Sequence, residues 1–335
     1  MTADRPPLQL LVHAADRFRV AHGTNRGDPL GVADDLTPDD VYELAADASP
    51  ARLAVETAAQ TDFAVAAGSA LGRPGAPLHL DCRLTFMGAD GHTLEGLVLV
   101  ELDGAGCVAG VYLHPLAEMA PRAGYTLVAV DREGARRRFA EVGCVSFARG
   151  TRITLSSGAQ APIEALRPGD RVLTRDDGPQ PVRWIGQTTV RAVGAFAPIV
   201  IREGALNNAG DLVVSPDHRL FVWQRADALG AGRAEVLVRA RHLVNGTTVR
   251  ARHGGFVDYF QLLFDRHQII YAEGIAAESL LIDDRTRPVL PEPTAHALGP
   301  RLTEHGRALH QGYEVREGLM RRPDAVERLR RASAR

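Results

Sequence analysis

The sequence contains no lysine, so every one of its 39 basic residues is arginine. Chemistry that needs a side-chain primary amine, such as a Schiff base or the phosphate-gripping lysine of a P-loop, is excluded. Cysteine is scarce as well. Cys82, Cys107 and Cys144 are odd in number, far apart and without a C-x-x-C pair, which encodes neither a disulfide framework nor a thiolate zinc site. His79, His92 and His114 lack ligand spacing, and no metal or other cofactor is expected. No run approaches the roughly 18 apolar residues of a membrane span. The first residues lack the basic segment and apolar run of a signal peptide, so cytoplasmic synthesis is expected, with unconventional export left open. An excess of one charge is missing too. The net charge of -2 gives no general attraction to nucleic acid or anionic membranes.

What remains is an ordinary composition, 45% hydrophobic and 24% charged over 335 residues, enough for two domains with sizeable cores. In the first module, Leu8-Gln9-Leu10-Leu11-Val12 reads as a strand or a helix start. Thr37-Pro38-Asp39-Asp40 carries the signals of a helix N-terminus, and the Ala-rich stretches 38–48 and 50–60 are expected to be helical. From Leu78 the period becomes two, as Leu78, Leu80, Cys82, Leu84 and Phe86 alternate with polar residues. Asp90-Gly91 marks a hairpin, and strands are expected at 97–100, 108–113 and 125–130. Cys82 is expected in a core, while Cys107 beside a Gly-rich turn is ambiguous. The charged run 131–138 reads as a solvated linker. No catalytic motif is present, so the module is α+β and of unknown function.

Beyond residue 143 short runs of β pattern recur, separated by Gly, Asp and Pro, as in a compact all-β domain. Leu166-x-x-Gly169-x-x-Val172 is echoed by Leu243-x-x-Gly246-x-x-Val249, suggesting two related halves. The junction Gly143-Cys144 opens this domain. A cysteine there can attack the carbonyl just upstream, and glycine leaves that carbonyl unhindered. The other reading of Cys144 is a small buried hydrophobe. Downstream stand His218, in Val214-Ser215-Pro216-Asp217-His218, and His267.

Together these residues resemble a family. Cys144 followed by Phe147 and Gly150-Thr151 looks like the start of a Hint domain, the fold shared by hedgehog autoprocessing domains and inteins. Pro162-Ile163-Glu164-x-Leu166-x-x-Gly169-Asp170-x-Val172-Leu173 is similar to its next motif, and Ser215-Pro216-Asp217-His218 to its T-x-x-H. The stretch from His267 to Ile275 resembles its penultimate strand. The whole chain resembles bacterial, alphaproteobacterial-type Hint proteins in which a variable N-terminal module precedes the domain. The resemblance implies a mainly β chain. It would consist of an α+β module over 1–143, a pseudo-twofold all-β Hint fold over 144–283, and a Pro-rich linker with helices (302–318 and 323–334) over 284–335.

The resemblance also implies an activity. Cys144 would attack the Gly143 carbonyl in an N-to-S acyl shift, with His218 as acid–base and Ser215 holding the scissile amide bent. His267 would assist or merely brace its strand. Water or a small nucleophile would open the thioester and release residues 1–143, the chain's own substrate, in a single autocatalytic turnover. No nucleic acid or membrane span enters. Two departures narrow this. Where inteins end in His-Asn the chain has Glu278-Ser279, so no amide can cyclise and splicing is not expected. Where hedgehog domains carry an activating acid, the chain has Gln187. The alternative is a binding or adhesive β module on a Hint fold that has lost its chemistry.

Overall fold

A computed structural model describes residues 7–57, 63–224, 227, 230–282, 286–292, 295–296, 299, 305, 313–315, 320 and 328–329. The chain divides into two compact units, Met1–Phe139 and Ala140–Arg335. It is mainly β.

Nine strands form the sheet of the first unit: β1 (Leu8–Ala14), β2 (Phe18–His22), β3 (Val41–Leu44), β4 (Ala51–Thr57), β5 (Phe63–Val65), β6 (Pro77–Gly88), β7 (Thr93–Leu102), β8 (Val108–Pro115) and β9 (Gly124–Asp131). Their order is β2-β3-β9-β6-β5-β4-β1-β8-β7, and β6 also pairs with β7, which closes the last six into a ring. The long β6 makes this possible: one edge takes β7, while the other takes β5 at its start and β9 at its end. Cys82 lies fully buried in the core with Phe18, Tyr42 and Phe86, whereas Cys107 is exposed.

Where helices are expected at 38–48 and 50–60, the described residues hold the strands β3 and β4, while 58–60 lie outside the described residues. Asp39 has φ 71°, which breaks a right-handed start, and Asp40 turns inward, fully buried, to accept the Thr24 N–H at 2.6 Å. The chain then pairs with β9 and β2 as β3, while β4 lies between β1 and β5. Sheet pairing overrides alanine's helical preference. The expected linker 131–138 instead enters a helix, α1 (Gly134–Gly143), whose first N–H is accepted by the Asp131 carboxylate at 2.9 Å.

The second unit holds β10 (Phe147–Ala148), β11 (Arg152–Thr154), β12 (Gln160–Pro162), β13 (Arg171–Leu173), β14 (Pro179–Pro181), β15 (Trp184–Arg191), β16 (Ile199–Ile201), β17 (Leu212–Val214), β18 (Arg219–Trp223), β19 (Glu235–Arg239), β20 (Val249–Ala251), β21 (Phe256–Leu263), β22 (Ile269–Ala272) and β23 (Ile275–Glu278). One sheet runs β12-β11-β22-β23-β18-β19, a second runs β15-β21-β10-β17-β16-β20, and β13 pairs with β14. The first of these is symmetric about the β22–β23 hairpin: one flank holds β11 and β12, the other β18 and β19. The sequence echo falls on matching pieces, a 3-10 turn (Ile163–Ala165 or Ala240–Leu243), then a left-handed glycine, then a strand. Gly169 and Gly246, at φ +100° and +73°, hold the turn where a side chain would be strained. At the pseudo-twofold, β10 and β17 lie antiparallel with Phe147 opposite Val214.

Most of the two helices expected in the tail lies outside the described residues. Residues 313–315 are not α-helical, because Glu314 bridges to Leu237 and the Val315 N–H donates to the Leu237 carbonyl at 3.0 Å. Val315, Met320 and Leu329 join the core of the second unit. In the expected linker, Val289 and Leu290 are buried. No helix among the described residues is long and apolar enough to cross a membrane.

Candidate active site

Cys144 stands where α1 ends. Its N–H donates to the Glu141 carbonyl at 3.3 Å, a loose closing bond of the last turn. The Gly143–Cys144 peptide thus lies at a helix C-terminus, where orphan carbonyls and the macrodipole place partial negative charge. A thiolate there is disfavoured by about 0.3–1 kcal/mol, so neutralising the developing charge falls to neighbouring groups. Gly143 is not in the left-handed region and a Cβ on it would touch nothing within 4 Å, so the backbone itself does not demand glycine. Cys144 is only 1% exposed and packs with Ala140, Leu263, Leu280 and Ile282.

The pairing of β10 with β17 lays 144–146 alongside 215–218, and four hydrogen bonds tie them. The Ser215 N–H donates to the Ser146 carbonyl at 2.9 Å, and the Ser146 N–H donates to the Ser215 hydroxyl at 3.1 Å. That hydroxyl donates to the Cys144 carbonyl at 3.2 Å, and His218 Nδ1 lies 3.0 Å from the Ser146 carbonyl. Ser215 therefore grips the peptide one residue downstream of Gly143–Cys144, not that amide itself, because the register places it opposite Ser146.

A carbonyl only accepts, so Nδ1 of His218 carries the hydrogen and Nε2 keeps its lone pair. Nε2 is buried and has no hydrogen-bond partner among the described residues. Unpaired polar atoms in an interior are costly and rare, and they cluster where chemistry needs them. Phe147 meets the imidazole edge-on, ring centroids 4.3 Å apart. Burial pulls the imidazole down to about 4; the backbone of Ser146 and of Glu278 opposes this too weakly, and Arg219 adds to the lowering. The ring is neutral at physiological pH, in the tautomer of a base.

His267 is placed in a second cluster. Its Nε2 lies 3.7 Å from Glu278 Oε1, and its ring centroid is 6.5 Å from that of His305. Glu278 is 2% exposed and bonded to Arg219 Nε; burial pushes its carboxyl up to about 7 against the pull of that guanidinium. Ser279 is fully buried, its hydroxyl accepting the Gln268 N–H at 2.9 Å. Gln187 is exposed on β15, opposite Phe260.

Sequence reasoning missed Ser146 and Gln261. The Ser146 carbonyl takes two of the four bonds, and its hydroxyl accepts from Gln261 Nε2 at 3.1 Å. The available signal was Gln261 itself, a lone amide inside Tyr259-Phe260-Gln261-Leu262-Leu263-Phe264. Among the described residues no group of three or more His, Cys, Asp or Glu is placed to hold a metal ion.

Comparison with curated proteins returns no match. Among solved structures, the crystal structure of the MchDnaB-1 intein is 14% identical, covering 40% of this chain and 98% of that one, with a TM-score of 0.27. That of the gp41-1 intein is 11% identical, covering 40% and 97%, with a TM-score of 0.25. A family model described as the Hint domain matches residues 145–284, beginning one residue after Cys144 and enclosing Ser215, His218 and His267. On that match and on the ordered motifs laid out across these strands, residues 145–284 form a Hint domain.

Proposed function

We propose that the protein cuts itself between Gly143 and Cys144 by an N-to-S acyl shift, without splicing. The observation that carries this is His218: a neutral imidazole held through Nδ1 to the Ser146 carbonyl, with a buried Nε2 that makes no hydrogen bond of normal geometry, the Glu278 main chain lying near the ring. The thiol proton of Cys144 passes to Nε2 as Sγ adds to the Gly143 carbonyl carbon. The C–N bond then breaks, and the imidazolium returns the proton to the departing nitrogen. The products are a Gly143–Cys144 thioester and a free α-amine on Cys144. An imidazolium whose acidity is raised by burial is a strong donor toward that nitrogen. Water, or a small thiol or amine, adds to the thioester carbonyl, expels the Cys144 thiol and frees residues 1–143. Ser215 fixes the Cys144 carbonyl so that the segment after the cut does not recoil, and His267 braces Glu278. With Glu278-Ser279 in place of His-Asn, the chain stops at N-side cleavage.

A second reading draws on the burial of Cys144. At 1% exposure within an apolar cluster, the thiol suits an inert packing residue of a binding or adhesive module. Intact mass separates the two. Purified full chain held with hydroxylamine or a small thiol is expected to yield a fragment ending at Gly143, and Cys144→Ala to yield none. A full-length mass unchanged over days and across pH selects the inert module.

A further inference from the structure

His218 lies between two charged residues, and both are tied down. Asp217 accepts from Arg239 Nη1 at 3.1 Å and from Arg241 Nη1 at 2.9 Å. Arg219 donates through Nε to Glu278 and through Nη1 to Glu314 Oε2 at 3.4 Å. Glu314 also accepts from Arg239 Nε, at 3.1 Å. These contacts close a ring: Asp217, Arg239, Glu314, Arg219, and back through the His218 main chain.

Glu314 is the member of the ring that comes from the tail, thirty residues past the end of the family match at 284. Three contacts seat it. Val315 donates its N–H to Leu237 on the outer strand β19, and the Tyr313 ring lies 5.6 Å from that of Phe221. The Arg233 guanidinium lies 5.1 Å from the Tyr313 ring centroid. The electrostatics favour this arrangement. Arg219 and Arg239 feel each other's positive charge, and Glu314 stands between them. Remove its charge and the two guanidiniums repel without a bridge. Arg219 keeps Glu278, Arg239 keeps Asp217, and the two halves of the ring come apart on either side of His218.

We propose that Glu314 is a positioning residue for His218, clamping the turn Asp217–Arg219 so that the imidazole keeps Nδ1 on the Ser146 carbonyl and Nε2 unengaged. This rests on the acyl-shift reading for its functional meaning, and the test therefore has two arms. The first follows the appearance of the 1–143 fragment by intact mass in the full chain. Glu314→Gln and Arg239→Gln should each slow it about tenfold, and the double variant no more than the slower single, because both break one ring. The second arm needs no cleavage. In the full chain carrying Cys144→Ala, nitrogen-15 spectra of the His218 imidazole should show the single Nδ1–H tautomer, and adding Glu314→Gln should give mixed tautomers with the melting temperature within a few degrees. Val315→Pro, which removes the seating N–H and leaves Glu314 intact, should reproduce that mixture. Glu314→Gln with unchanged tautomer and unchanged rate overturns the proposal, as does full additivity in the double variant. If the parent chain never cleaves, the acyl-shift reading fails, and the tautomer measurement alone decides whether Glu314 positions the ring.

Discussion

Replacing His218 by glutamine tests the acid–base role with the least damage to the fold. Glutamine offers an N–H for the Ser146 carbonyl, but it cannot take a proton from the thiol. In the wild-type chain the imidazole sits at about 4. Toward so weak a base, and within an apolar cluster at a helix C-terminus, full transfer of a thiol proton to give an imidazolium–thiolate pair is strongly uphill. The pair is therefore not a resting state; the proton moves as sulfur attacks, and assistance of that kind contributes roughly 10²–10⁴-fold, ~3–5 kcal/mol of barrier. His218→Gln should slow release of 1–143 by that factor and not abolish it, since the thiol remains. The loss of the ring against Phe147 costs about 0.5–1.5 kcal/mol of stability, less than a domain's usual total. The assay is acid-quenched intact mass at fixed hydroxylamine, with circular dichroism as the folding control. With the concentration of unprotonated hydroxylamine held constant, the wild-type rate should also hold as pH falls from 8 toward about 4, because the base stays unprotonated until then. Equal rates for folded His218→Gln and wild type, or an acid limb centred near ~6.5, the unperturbed value of histidine, would refute the reasoning.

Three further outcomes follow from the same geometry. Glu278 has its carboxyl raised to about 7, so its contribution favours the fold below its unfolded value near ~4.3 and is lost as pH rises through 7. Glu278→Gln should therefore gain about 3 kcal/mol relative to wild type between pH 4.5 and pH 8 in urea melts, and a pH-independent difference would contradict this. His218, lowered to about 4, acts with the opposite sign, costing stability as pH falls from ~6.5, so in wild type the two slopes largely cancel between about pH 4.5 and 6.5. Ser215→Ala strips both the donor to the Cys144 carbonyl and the acceptor of the Ser146 N–H. It should lower stability by about 1–3 kcal/mol and slow cleavage less than His218→Gln does; a larger effect on rate than that of His218→Gln would move the central role to Ser215. Gly186→Ala would put a Cβ 2.3 Å from Trp184 Cη2 and 2.7 Å from Gln261 Oε1, so it should cost about 1–3 kcal/mol by overpacking, read as a lower urea midpoint.

The alternation at 78–86 and the short runs after 151 were legible as strands because a half-buried strand must alternate and most turns there carry Gly, Asp or Pro. Residues 38–48 were not. A Thr-Pro-Asp-Asp start looks the same whether Asp40 faces solvent as a helix acid or turns inward to cap the Thr24 amide, and only the long-range pairing with β9 decides between them. β10, β12 and β14 are too short to carry a period at all. At the site, Ser215 and His218 could be read from their spacing, but the partner of Ser215 could not, because it depends on which residue of β10 falls opposite Val214. The ring around His218 was invisible for the same reason. Arg219 and Glu278 are 59 residues apart, and Arg219 and Glu314 are 95 apart.

Strand β10 is two residues long, yet it is held on one side by Val214 and on the other by Tyr259 and Phe260. Val214 stands about half the length of the domain downstream, and Tyr259 and Phe260 about four-fifths, so the loop the latter close is long and closes late on the folding path. During synthesis the segment after Cys144 leaves the ribosome well before β21 exists to receive it. The four bonds from 215–218 can form as soon as that segment exists, but the Gln261 bond to the Ser146 hydroxyl and the β21 flank of β10 cannot form on a chain that stops short of residue 261. Order of synthesis becomes a clock: the N-terminal module has its own strands and time to fold while the domain after it is still being made, and β10 gains its second flank only once translation has passed residue 260.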